Sequence, residues 1–293
     1  MADLKSQTIF SVLDRTAVIS GGGGGLGRMV AKSLLVNGAS VTIIDQFQHR
    51  LDVVEAELLE LKQKSKLPGQ IRKIQGDLGH EIGLKSVISQ IKATHNEVDI
   101  LVTAAGIRKV NKTAFTPGES LSDLVKATNS LSYEDLDASF RINLYAQYFL
   151  TAGLLDLLGA AAAKGDGRGS VIMFSSVAAK HNGQFVPAYQ LSKAAVDHLV
   201  RIMAAEFADH YIRVNAISPG LFPSNMNPMD PAHPDSNMKF ANDMPARRPG
   251  TEEEMAATAL YLASKAGAYM TGANMVVDGG RMLVAAGKIS SKL

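Results

Sequence analysis

The chain has 293 residues, of which 46% are hydrophobic and 20% charged, with a formal net charge of +2. That is enough apolar material for one large core, and it makes no electrostatic case for nucleic acid or a membrane as partner. Cysteine is absent, which excludes disulfides, a thiol nucleophile and thiolate metal sites.

Residues 15–20 (RTAVIS) predict a first strand that runs into five consecutive glycines, Gly21 to Gly25. A helical pattern follows, with Met29, Val30, Leu34 and Leu35 apolar, then a second strand over 40–44 closed by Asp45. Strand, turn, helix and strand in this order form a βαβ unit. The alternation continues with helix 51–64, strand 70–75, helix 82–94 and a fully apolar strand 99–102. One long helix over 136–158, strand 170–174, helix 189–208 and strands 212–217 and 274–277 complete the series. The reading is an α/β, single-domain, Rossmann-type doubly wound parallel sheet with helices on both faces.

Two stretches break the rhythm. Residues 107–132 form a polar connection too long for an ordinary βα loop, and residues 219–249 hold seven of the ten prolines together with Met226, Met229, Met238 and Met244. The first is read as an insertion. The second is read as a substrate lid, since methionine adapts to apolar ligands, with a plain loop insertion as the alternative. The remainder, 281–293, is a C-terminal tail.

Gly21, Gly25 and Gly27 follow a strand and open a helix. Side chains there would hold the backbone away from a pyrophosphate whose charge is met by amides at a helix N-terminus. An acid about twenty residues on completes the dinucleotide pattern. Asp45 is that acid: its carboxylate suits a free ribose 2′-hydroxyl and repels a 2′-phosphate, favouring NAD over NADP. It equally suits a cap of the following helix.

Tyr189 and Lys193 lie one turn apart on a predicted helix. A tyrosine has a pKa of ~10, and a neighbouring ammonium favours its phenolate, making it a usable acid/base. Alone, such a pair is often only a surface contact. Ser175-Ser176, at the carboxyl end of the preceding strand, sits where sheet enzymes of this type carry their reacting groups.

These residues resemble the short-chain dehydrogenase/reductase family over about Thr16 to Gly280. Ser20 to Gly27 is similar to its Thr-Gly-x-x-x-Gly-x-Gly turn, and Asp77-Leu78 to its adenine-contacting Asp-Val pair. Tyr189 to Lys193 is similar to its active-site motif, with Ser176 at the family's usual interval before it. Asn143 resembles the helix asparagine that orders a relay water. Asn215 to Gly220 resembles the segment beside the nicotinamide, and Val277 to Gly280 the terminal signature.

The resemblance implies Tyr189 as general acid/base. Lys193 would tune it and hold the nicotinamide ribose, Ser176 would bind the substrate oxygen, and Asn143 would support the relay. It also implies cofactor contacts from Ser20, Gly21, Gly25, Leu26, Gly27, Asp45, Asp77, Leu78, Ala105, Gly106, Tyr189, Lys193, Pro219, Gly220, Leu221 and Ser224. Thr103-Ala104-Ala105-Gly106 departs from the family's Asn-Asn-Ala-Gly, removing polar contacts that steady the sheet and the cofactor pocket. The runs 221–226 and 268–272 resemble the branch of rhamnolipid-type 3-oxoacyl-carrier-protein reductases, which uses NADPH against the charge argument from Asp45.

The leading reading is therefore an NAD-dependent enzyme that exchanges a hydride with a secondary alcohol or ketone of apolar character. An NADPH-dependent 3-oxoacyl-thioester reductase and a non-redox NAD-binding protein are the alternatives. Small-molecule substrate, homodimer or homotetramer, and no nucleic acid, membrane or metal complete the expectation. His198 reads as a core or interface residue. His181, Asn182 and Gln184 are placed either to touch substrate or to fill a loop, and Glu252 to Glu254 suit a helix N-terminus. The opening MADLKSQTIF lacks the features of a secretory signal. The ending Ser291-Lys292-Leu293 reads as a peroxisomal address recognised by the import receptor, against a coincidental polar tail and a cytoplasmic location.

Overall fold

The computed structural model describes residues 4–116, 118–181, 186–234 and 236–285. Asn182, Gln184 and the terminal Ser291-Lys292-Leu293 lie outside the described residues. The elements in chain order are α1 (Ser6–Ile9), β1 (Thr16–Ser20), α2 (Gly25–Val36), β2 (Ser40–Asp45), α3 (Gln48–Ser65), β3 (Ile71–Gln75), α4 (Glu81–Thr94) and β4 (Ile100–Thr103). Then come α5 (Leu121–Thr128), α6 (Tyr133–Phe140), a π-helical turn (Arg141–Tyr145), α7 (Ala146–Gly153), α8 (Leu155–Ala162) and β5 (Ser170–Phe174). The chain closes with α9 (Pro187–Glu206), β6 (Arg213–Pro219), α10 (Met238–Asn242), α11 (Glu252–Ala263), β7 (Asn274–Val277) and α12 (Arg281–Ala285).

The seven strands form one sheet in the order β3-β2-β1-β4-β5-β6-β7, and every pairing is parallel. Successive side chains of a strand point to opposite faces, so the apolar strands feed two cores. Val18, Ile44, Leu101, Val171 and Met173 pack with residues of α4, α7, α8 and α9. Ala17, Ile19, Ile43, Val102 and Ile172 pack with residues of α2, α3 and α11. Helices therefore cover both faces, the condition under which all-parallel sheets are stable. The buried Asp99 carboxylate accepts from Thr16 N at 2.7 Å and pairs with Arg168 at 2.6 Å, tying β1 to the chain around β4 and β5.

The strand order switches between β1 and β4, so that the connections run to opposite edges of the sheet and leave a crevice beyond the carboxyl ends of these strands. The single helix expected over 136–158 is instead four pieces: α6, the π turn, α7 and α8. The run Tyr133–Gly153 meets α8 at 59°. Leu154 leaves the helical region at the bend (φ −109°, ψ 11°), and Val98 N donates to Leu157 O at 3.1 Å, anchoring α8 across the amino ends of the sheet. Apolar periodicity runs on through such a bend, so the pattern alone does not register it. The insertion likewise contains an element: α5 is capped by Ser120, whose Oγ accepts from Asp123 N at 3.2 Å.

Candidate active site

The nucleotide end is shaped by β1, the glycine turn and α2. Gly21 adopts φ +68°, and a Cβ there would stand 2.7 Å from Ala105 N. A Cβ on Gly27 would stand 2.3 Å from Gly21 O, so glycine is what lets the first turn of α2 close onto the loop. Ser20 Oγ accepts from Ala105 N at 3.4 Å, joining the tips of β1 and β4.

A cavity of about 850 Å³ opens beyond this turn. Gly21, Gly25, Leu26, Asp45, Asp77 and Leu78 border one arm, and Ala105 and Gly106 stand at its waist. Ser176, Tyr189, Lys193, Pro219, Gly220, Leu221 and Ser224 border the other arm. Ser20, Gly27 and Asn143, nominated with them, stand behind the wall rather than in it. The arrangement fits a dinucleotide: a side-chain-free turn at a helix N-terminus, an acid at the tip of β2, and a volume in the range of cofactor pockets, ~300–1,000 Å³.

Asp45 is shared between the cavity and the chain leading into α3, and no side chain caps that helix. It borders the cavity, and its Oδ1 accepts from Phe47 N at 3.1 Å at the entrance to α3. One turn further, Arg50 also borders the cavity, its guanidinium 4.5 Å from the centre of the Phe47 ring. Both signs of charge thus face the nucleotide end, where the sequence reading saw only the acid.

At the catalytic end, α9 carries Tyr189 and Lys193 on one face, with Lys193 Nζ 5.7 Å from the Tyr189 ring centre. Lys193 is buried and its Nζ donates to Phe174 O at 2.7 Å. Burial pushes its pKa down to about 8, opposed by the charge of Asp197 one turn along. Asp197 in turn accepts from Ser175 Oγ and, at 2.6 Å, from Asn274 Nδ2.

Tyr189 corrects an expectation. Burial raises its pKa above the usual phenol value, outweighing the hydrogen bond to Ser176 and the positive charge of Arg108, which both lower it. The protein by itself thus holds a phenol, the proton-donating form. Ser176, at the end of β5, is buried, and its Oγ also accepts from Ala178 N at 3.1 Å.

Asn143 lies in the π turn, fully buried. Its Oδ1 accepts from Ile107 N and its Nδ2 donates to Ile107 O, both at 2.9 Å, with a further bond to Ser192 Oγ at 3.0 Å. The side chain clamps the start of the 107–132 insertion against α9.

The sequence reading missed Gln147. Its buried amide accepts from Thr103 Oγ1 at 2.7 Å, and its Nε2 donates to Asn143 O and, at 3.3 Å, to Phe174 O. Thr103 and Gln147 together therefore bridge β4, the π turn and β5. Thr103, in the Thr-Ala-Ala-Gly run that departs from the family's Asn-Asn-Ala-Gly, is thus held from across the fold. The only local signal was the spacing: Gln147 stands four residues after Asn143, as Asp197 does after Lys193.

The 219–249 stretch contributes Leu221, Phe222, Ser224, Met226 and Asn227 to the cavity wall. Ser224 and Asn227 form a tight turn through reciprocal backbone bonds at 3.1 and 3.0 Å. Of the four methionines, Met226 borders the cavity while Met244 is buried beside Gly279. His198 is exposed on α9 and within 3.1 Å of Arg201, at the edge of an apolar groove. The glutamates at 252–254 open α11, where Thr251 and Glu254 form a capping box. Among the described residues, no group of three or more His, Asp or Glu is placed to hold a metal ion.

Sheet order, glycine turn and the Ser176–Tyr189–Lys193 group together define an oxidoreductase of the dinucleotide-binding α/β class. A family model described as enoyl-(acyl carrier protein) reductase matches residues 22–281. The short-chain dehydrogenase/reductase PhomF of Diaporthe leptostromiformis is 34% identical over 293 residues, 96% of each chain. The rhamnolipids biosynthesis 3-oxoacyl-[acyl-carrier-protein] reductase of Pseudomonas aeruginosa is 32% identical, over 92% of this chain and 97% of its own. The solved Pseudomonas aeruginosa RhlG/NADP active-site complex superposes with a TM-score of 0.78 at 31% identity, over 93% of this chain and 98% of its own. The chain belongs to the short-chain dehydrogenase/reductase family and is an NAD(P)-dependent oxidoreductase.

Proposed function

We propose that the enzyme interconverts a secondary alcohol and a ketone at the Ser176–Tyr189 pair. The observation that carries this reading is the hydrogen bond of the Tyr189 hydroxyl to Ser176, in a cavity whose other arm is the glycine turn. The bound nicotinamide supplies the hydride for reduction and accepts it in oxidation. Ser176 and Tyr189 receive the carbonyl oxygen, and Tyr189 donates the proton that completes the alcohol. In the reverse direction the Tyr189 oxygen takes the proton back from the alcohol. Lys193, charged beside the ring, favours the tyrosinate that forms as the proton leaves. Leu221, Phe222 and Met226 present an apolar wall to the body of the substrate.

Asp45 supports NAD(H) as the cofactor, because a carboxylate at the tip of β2 opposes a 2′-phosphate. Arg50 supports NADP(H), since its guanidinium borders the same arm, and the related RhlG structure is an NADP complex. The charge nearest the sheet favours NAD(H). A 3-oxoacyl thioester is the second substrate reading, favoured by the likeness to the rhamnolipid reductase. The test is a panel of secondary alcohols and ketones followed by reduced-cofactor absorbance with each dinucleotide. Turnover is expected with several members, at least tenfold higher kcat/KM with NAD(H), and below a few per cent in Tyr189→Phe with dinucleotide affinity kept. Tight dinucleotide binding with no turnover on any member would favour a non-redox role instead.

Two further assignments belong to the same reading. Exposed Tyr145, Tyr148, Phe149 and Ile202 border an apolar groove on α7 and α9 and support association into a homodimer or homotetramer. The ending Ser291-Lys292-Leu293 supports import into peroxisomes. Deleting these three residues is then expected to leave a fluorescently tagged enzyme in the cytosol, and unchanged localisation would remove the assignment.

A further inference from the structure

Two arginines, Arg108 and Arg281, border the cavity, and among the described residues no carboxylate is hydrogen-bonded to either. Arg281 opens α12, immediately after the turn 277–280, and borders the cavity; burial lowers the pKa of His181, and the charge of Arg281 lowers it further. The nearest acid is Asp278, whose two carboxylate oxygens are already taken by backbone amides. Gly280 N donates to Oδ1 at 2.9 Å and Met282 N to Oδ2 at 2.8 Å. Arg281 Nε is shielded from solvent with no hydrogen-bond partner among the described residues.

Arg108 borders the same cavity, near enough to Tyr189 for its charge to act on the phenol. Its guanidinium meets only neutral acceptors: Asn227 Oδ1 at 3.2 Å and Met226 O at 2.9 Å. The acids on this part of the wall, Glu134 and Asp137, belong to α6, and Asp137 is paired with Arg141 at 2.8 Å. Two guanidinium groups therefore border the cavity that holds the proton-transfer group, and Leu221, Phe222 and Met226 give that cavity an apolar side.

We propose that the substrate is an oxo or hydroxy acid: an apolar body whose carboxylate pairs with Arg281, assisted by Arg108. A planar guanidinium recognises a carboxylate by paired, charge-assisted hydrogen bonds. The inference rests on the alcohol/ketone reading and adds the substrate class to it.

The test uses oxo-octanoic acids with the ketone next to the carboxylate, mid-chain or near the far end, each paired with its methyl ester. At least one acid is expected to exceed its ester tenfold in kcat/KM. Arg281→Gln should erase that preference by raising KM for the acid about tenfold while leaving the ester unchanged, and Arg281→Lys should restore part of it. Esters equal to or better than acids at every ketone position would overturn the inference, as would equal losses for both in Arg281→Gln. Calorimetric binding of octanoate to the enzyme–dinucleotide complex separates this from failure of the redox reading. Octanoate that binds the wild type but not Arg281→Gln supports the anion site even if no ketone turns over. No octanoate binding together with no turnover overturns it.

Discussion

Lys193 is buried with its Nζ on the Phe174 carbonyl, and burial holds its pKa down to about 8. Because this lies below the ordinary lysine value, the unfolded chain binds the extra proton between about pH 8 and pH 10.5. Stability therefore rises with pH across that window, and below it the fold carries the full penalty of the buried charge. That penalty is about 3 kcal/mol, against about 1 kcal/mol for the hydrogen bond to Phe174 O. Lys193→Met is expected to raise Tm by several degrees at pH 7, by an amount that shrinks toward pH 10, while turnover is lost. A lower Tm at pH 7 would mean that the hydrogen bond outweighs the desolvation. Tyr189 is raised for the same reason of burial, so alcohol oxidation, which needs the tyrosinate, should accelerate as pH rises from neutral toward alkaline. The pH–rate profiles of the two directions check this, and oxidation that is flat across the range would contradict it.

Among the elements, α2 depends most on a single atom being absent. The Cβ that alanine would add at Gly27 falls 2.3 Å from Gly21 O, within a backbone turn that has no flexible side chain to yield. Overpacking of this kind costs about 1–3 kcal/mol, and it displaces the amides that face the cofactor arm. Gly27→Ala should weaken dinucleotide affinity at least about tenfold in a fluorescence titration; unchanged affinity would show that α2 can shift without disturbing the turn. The π turn is the complementary case. Its wider winding sits where Asn143 clamps Ile107 and Gln147 reaches back to Asn143 O, so one irregular turn joins α9, β4 and β5. π bulges often occur at functional sites, and this one supports the lysine from behind.

Over the whole molecule, both faces of the sheet are covered by helices, yet the α7–α9 surface leaves Phe149 at 52% and Ile202 at 46% exposure. Burying such a patch between copies is favourable at roughly 25 cal/mol per Å². Phe149→Asp should move the enzyme to a smaller sedimenting species with an unchanged circular dichroism spectrum. An unchanged sedimentation coefficient would place the interface elsewhere.

The alternation of apolar runs and helical stripes determined the sheet, its parallel sense and its two covered faces, because these follow from local periodicity. The glycine turn, Asp45 and the Tyr189–Lys193 spacing located both arms of the cavity for the same reason: each is a short-range pattern with one mechanical use. The tertiary structure alone decided the rest. It brought Gln147 to Thr103, and Arg50, Arg108 and Arg281 to the cavity wall. It also bent the helix at Leu154 and reversed the expected direction of the Tyr189 shift. Those outcomes depend on burial and on contacts between distant segments, and no local spacing encodes how deeply a side chain will be shielded or which remote backbone carbonyl it will meet.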